Sequence, residues 1–216
     1  MADFLTLLRD PNIQWILLAT SLLGMSSGVL GSFAYLRKQS LVGDALSHAA
    51  LPGVCIAFML TGVKSLWFFM LGAAAAGAAA TFGIGLITRH SRIKQDAALA
   101  IILSSFFGLG IVLLTRIQQS GSGAQAGLDK FLFGQAAAMV KADVYTMCAL
   151  AVFLTAMCAL FFKQFKLISF DPGFARMIGY KTAALEQFLV LLLVVAVVVG
   201  IQAVGVVLMA AMLMTP

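Results

Sequence analysis

The chain has 216 residues, of which 62% are hydrophobic and only 10% charged; a water-soluble domain carries about 25% charged residues, so that class is excluded. The formal net charge of +6 invites a nucleic-acid reading. The basic residues, however, lie in short connections between apolar runs, where they set membrane orientation, and no nucleic-acid partner is expected. The start, MADFLTLLRDPN, has no basic leading segment and no small-residue cleavage site. The first span is therefore read as a permanent anchor.

Asn12–Leu36, Ser65–Thr88, Ala97–Thr115, Val144–Phe162 and Gln187–Pro216 contain no Asp, Glu, Lys or Arg, and Ala45–Val63 joins them once His48 is admitted. Each is near or above the ~20 residues that cross a bilayer as a helix. The first run carries Gly24 and Gly28 as a GxxxG pair; the third, GAAAAGAAATFGIG, begins with Gly72 and Gly77. Lipid gives helices no hydrophobic drive to associate, and small residues let their backbones approach closely. All four glycines are expected at helix contacts, and Gly28→Leu is expected to loosen the packing. Cys55, Cys148 and Cys158 are scattered in spans without a CxxC motif, and read as small core residues.

Nine basic residues (Arg37, Lys38, Arg89, Arg92, Lys94, Lys163, Lys166, Arg176 and Lys181) follow spans 1, 3 and 5, against five on the other side. The positive-inside rule places those nine in the cytoplasm and the N-terminus outside. Segment 116–142 is then an extracytoplasmic loop. Its Gln118–Gly127 reads as exposed coil, and Phe131–Met139 as a short interfacial helix or a loop packed on the span ends. Towards the end of the chain, Gly200 and Gly205 bracket IQAV. A helix break with a returning segment is expected there, because the stretch after Gly205 is too short to span.

Two stretches stand out from this apolar background. In SLVGDALSHAALPG, Asp44 and His48 are four residues apart and share one helical face. Counting inward from Lys38 puts His48 roughly 15 Å along, near the middle of the bilayer. Ionisable groups at such depth are costly and usually face a cavity or a partner. Imidazole suits first-row transition metals and carboxylate suits harder ones such as manganese, yet two ligands hold no metal alone. From the residues, a translocation site and a helix cap with a core histidine both stay open. In FKLISFDPGFARMIGYKTAALE, Asp171 followed by Pro172 reads as a helix cap with proline at the first position. That short helix suits docking to a cytoplasmic partner or burial against the bundle.

SFAYLRKQSLVGDALSHAALPGVCIAF, AGLDKFLFGQ, FDPGFARMIGY and IQAVGVVLMAAMLMTP together resemble, in order, segments of the ABC-type zinc/manganese/iron permeases, the membrane subunits of bacterial metal importers. The resemblance implies an all-α polytopic protein of the inner membrane with about six transmembrane helices and a partial seventh. It is read as one transmembrane domain over 1–216, truncated at the C-terminus, since family members continue past the equivalent of Thr215–Pro216. The cargo would be a divalent metal, manganese first and zinc or iron next, with no permanently bound cofactor. The implied partners are a second permease subunit, a cytoplasmic ATP-binding subunit, an extracytoplasmic metal-binding protein and membrane lipid. Asp44 and His48 match the positions expected to contact metal. Within segment 164–186, Asp171, Pro172, Phe174, Ala175, Arg176 and Gly179 match the segment expected to engage the ATPase. ATP would be hydrolysed by that partner, for this chain has no GxxxxGK[ST] loop. The rival readings are a permease for a larger chelate or vitamin, a structural subunit, and an intramembrane metalloenzyme. The last has no HExxH motif and no nucleophilic serine in a GxSxG turn to support it.

Overall fold

The computed structural model describes residues 11–37, 41–62, 66–119, 134 and 141–214. The helices run in the order α1 (Pro11–Leu36), α2 (Leu41–Thr61), α3 (Leu66–His90), α4 (Gln95–Gln119), α5 (Lys141–Leu160), α6 (Phe162–Phe170), α7 (Pro172–Met177), α8 (Thr182–Val204) and α9 (Val206–Met214). Helices α1, α2, α3, α4 and α8 are long and apolar enough to cross a membrane, and α5 with α6 passes the same test as a pair bent by 63°. The expected all-α polytopic architecture is thus present. Phe162, expected to end the fifth span, instead opens α6 beyond the bend. The expected coil at 118–127 and interfacial helix at 131–139 lie almost wholly outside the described residues.

Hydroxyl side chains inside the spans satisfy themselves locally. Thr20, Ser27, Ser32, Ser47, Thr88, Ser104 and Thr155 each donate to the carbonyl four residues back, which is how a helix carries such groups where no water is available. Ser26 lies within GMSSG, but mid-helix rather than on a turn, and donates to the Leu23 carbonyl at 2.9 Å.

Helix α2 is the most enclosed span: 78% of its most apolar stretch is buried, against 22% for α3 and for α4. It lies between α3 and α4, with α8 and α9 also packed on it. Its approach to α3 is limited by backbone: a Cβ on Gly53 would land on the Gly72 carbonyl oxygen and 2.6 Å from the Ala76 Cβ. Helix α1 pairs with α5 through Leu23, Val144 and Met147. Of the other expected packing glycines, Gly77 fits beneath Val194 of α8, and Gly24 faces Met212 of α9 at 3.1 Å. Gly28 differs. A Cβ there meets nothing within 4 Å among the described residues, so Gly28→Leu would not loosen the packing among them, contrary to expectation. GxxxG places both glycines on one face, yet α9 meets that helix at Gly24 and at Gly31 and not at the Gly28 Cβ position between them.

The chain breaks at Gly205, whose φ of +84° favours a residue without a Cβ. Beyond it α9 folds back: Met209 packs on Gly200, and Leu213 lies against Gly31 of α1 and Gly43 of α2. This is the returning segment that Gly200 and Gly205 imply.

Candidate functional site

The Asp44–His48 pair is placed by the way α2 is buried. Its residues Val42, Gly43, Ala45, Leu46, Ser47, Ala49, Ala50 and Leu51 are all buried, whereas Asp44 and His48 keep 34% and 28% of their side chains exposed. The pair therefore stands on the narrow open strip of the most enclosed helix. Asp44 is not the cap, because the helix already runs from Leu41 and Asp44 stands within its first turn, where the positive end of the helix dipole favours a carboxylate. His48 lies about 10 Å from the start of a helix about 30 Å long, about 5 Å short of its middle and so close to where counting from Lys38 put it.

His48 Nε2 approaches Asp44 Oδ1 at 3.4 Å. That is beyond the ~2.7–3.2 Å of a good hydrogen bond, so the two heads are paired but not locked, and both can turn towards a third object. The imidazole is steadied by Phe107 of α4, edge to face at 4.9 Å between ring centres. Between the two polar residues, Ser47 is buried and spends its hydroxyl on the Gly43 carbonyl, so it contributes nothing to the strip. Pro52 sits inside the helix. Having no N–H, it leaves the His48 carbonyl without the donor that a helix normally supplies four residues on. Imidazole, carboxylate and freed carbonyl suit a first-row divalent ion. Among the described residues no three of His, Cys, Asp and Glu come together, and such ions take at least four ligands. Among the described residues these groups alone would be too few to enclose such an ion.

The second candidate region surrounds α7. Asp171 caps it, its Oδ1 accepting from the Phe174 N–H at 2.8 Å, with Pro172 at the helix start. Gly179, at φ +94°, closes its far end, and the Tyr180 N–H returns to the Ala175 carbonyl at 3.0 Å, a left-handed terminus suited to glycine. Ala175 is buried, so it anchors the helix. Arg176 Nε donates to Thr182 Oγ1 at 3.0 Å, joining α7 to the first residue of α8. Phe170, Phe174, Met177, Ile178 and Tyr180 remain exposed, Met177 by 86%, and Lys163, Lys166, Arg176 and Lys181 lie in the same stretch of chain.

The sequence reading did not single out Phe107, Pro52, Arg37 or Glu186. Pro52 carries a legible signal, since a proline four residues after a histidine leaves that residue's carbonyl without its helical donor. Phe107 carries none, for nothing in the chain announces that α4 crosses α2 at His48.

Comparison with known proteins gives four matches. A model described as the ABC 3 transport family matches residues 9–216. The chain is 57% identical to the manganese transport system membrane protein MntC of Bacillus subtilis over 97% of this chain and 48% of that protein. It is 46% identical to the zinc transport system membrane protein TroC of Treponema pallidum over 100% of this chain and 72% of that protein. Among solved structures, PsaBC from Streptococcus pneumoniae in complex with Fab matches with a TM-score of 0.83 and 34% identity, over 100% of this chain and 74% of that one. The chain thus spans about half the length of the Bacillus subtilis relative.

Proposed function

Because this chain belongs to the ABC 3 transport family, we propose that it is the membrane permease subunit of an ATP-driven importer of divalent transition-metal ions, manganese first and zinc or iron next. The observation that carries the reading is the Asp44–His48 pair, exposed on one strip of an otherwise buried span. A carboxylate and an imidazole within a membrane span, facing outward from their own subunit, are half of a site. A second permease subunit packed on the α2–α4 strip would bring its own donors to the same ion. The names of the relatives, manganese for one and zinc for the other, support the cargo class without choosing within it. Selectivity between the two must come from geometry, because raw affinity favours zinc.

The exposed apolar side chains of α6 and α7 are the docking surface for the ATP-binding subunit. On this reading the end of the bundle carrying Arg37, Arg89 and α7 is cytoplasmic in an inner membrane, the N-terminus is outside, and a metal-binding protein delivers the ion from there. Phe174→Asp is expected to release the ATP-binding subunit, because a carboxylate in an apolar interface is strongly unfavourable. Affinity purification of the tagged permease should recover less than about one tenth of the wild-type ATPase. Recovery at the wild-type ratio would move docking elsewhere.

The experiment that tests the transport reading uses bacteria lacking their own manganese and zinc importers. They express the full-length protein with its ATP-binding and metal-binding partners, and cellular metals are measured by mass spectrometry. One divalent metal should rise, and that metal is the cargo. No rise in any metal, with all subunits present in the membrane, overturns the proposal.

A further inference from the structure

One ion pair links the end of α1 to the start of α8. Arg37, just past the end of α1, places its Nη2 2.7 Å from Glu186 Oε1 on the first turns of α8. The Arg37 side chain is only 10% exposed, and its Nη1 is buried with no hydrogen-bond partner among the described residues. A buried guanidinium that has spent only part of its donors depends heavily on its single carboxylate.

The surroundings of the pair give it two ends. Towards α7, Glu186 lies one helical turn beyond Thr182, the buried residue that Arg176 holds. On the same side Phe33 of α1 meets Phe165 of α6 at 5.7 Å, and Phe165 meets Phe188 of α8 at 6.1 Å, so the end of α1, the docking segment and the start of α8 form one packed unit. Towards the ion site, the chain passes from Arg37 into α2 within a few residues, and Asp44 stands on its first turn.

Glu186 also has somewhere else to go. It lines a cavity of about 560 Å³ whose walls include Val42 of α2, Thr88 and Arg89 of α3, and Gln187 and Leu191 of α8. Arg89, an exposed guanidinium, stands on the wall of the same cavity.

We infer that Arg37 and Glu186 are positioning residues for transport: their ion pair is a latch that ties the orientation of α2, and with it the Asp44–His48 pair, to the docking segment. When the cavity between α3 and α8 closes, Glu186 exchanges Arg37 for Arg89 and α2 is free to turn. This inference rests on the transport reading.

The test uses the assembled transporter in proteoliposomes, with ATP hydrolysis and manganese or zinc uptake measured together. Arg37→Gln and Glu186→Gln keep much of the shape of each side chain and leave α7 intact. Each is expected to hydrolyse ATP within about twofold of wild type, while ions moved per ATP fall at least about 10-fold. The exchange variant Arg37→Glu/Glu186→Arg restores the pair and is expected to recover a large part of that ratio. Single variants with the wild-type ratio overturn the latch while leaving the transport reading standing. So does an exchange variant no better than the single ones, and this comparison also decides the case in which a single variant assembles poorly. A wild-type complex that moves neither metal overturns the transport reading itself.

Discussion

Cells expressing the Asp44→Ala/His48→Ala double variant are expected to accumulate no more metal than cells without the transporter, although the protein reaches the membrane in normal amount. The variant should fold because both side chains stand on the open strip of α2, about a third exposed, and their one ion-pair contact is with each other. Removing the pair leaves no orphaned charge. On the transport reading uptake should fail because Asp44 and His48 would be donors to the ion, and alteration even of groups that merely support a ligand typically costs about 10- to 100-fold in metal affinity. Uptake of the cargo metal, followed by mass spectrometry against a membrane-fraction blot, measures both halves. Normal uptake in the double variant would return Asp44 and His48 to a structural role. It would leave a larger chelate, which needs no direct ligand, as the better cargo.

Gly53→Leu is expected to be the most damaging single change away from that pair. The glycines of α2 and α3 interlock: a Cβ on Gly53 falls on the Gly72 carbonyl, and one on Gly72 falls on the Gly53 carbonyl and 2.7 Å from the Ala57 Cβ. Overpacking usually costs about 1–3 kcal/mol because neighbouring side chains can give way. Here the obstacle is backbone on both sides, so the two helices must separate and the cost exceeds that range. The Gly53→Leu protein should be lost to aggregation, or should melt well below wild type in detergent. Gly28→Leu is the control: with open space at its Cβ position, it should express and melt as wild type does. Equal melting of all three proteins would mean that α2 and α3 do not pack as described.

These outcomes separate two kinds of information. Polar residues inside apolar runs are conspicuous in any sequence, and Asp44 and His48 stood out for that reason. Their i, i+4 spacing places them together on one helix without reference to the rest of the fold, because the geometry involved is local. The same holds for the Asp171–Pro172 helix start and for the break at Gly205, each set by the backbone preferences of the residues that make it. The spans were legible because bilayer thickness fixes a length and hydrocarbon forbids charge.

The information missing from the chain concerns which helix faces which. Both GxxxG glycines satisfy the same pattern, yet Gly24 meets α9 and Gly28 meets nothing, because the path of a separate segment decides the contact. Phe107 and His48 are far apart in the chain, as are Arg37 and Glu186. Nothing local marks one arginine among 14 basic residues as the buried one, since its burial is created by α8 arriving beside α1. Membrane class, helix positions and the candidate pair Asp44–His48 could all be read from the order of residues. That the pair opens outward from the bundle, and that Arg37 and Glu186 meet between α1 and α8, emerged once the helices were assembled. Periodicity and charge are properties of one helix, whereas exposure and pairing are properties of the space between several.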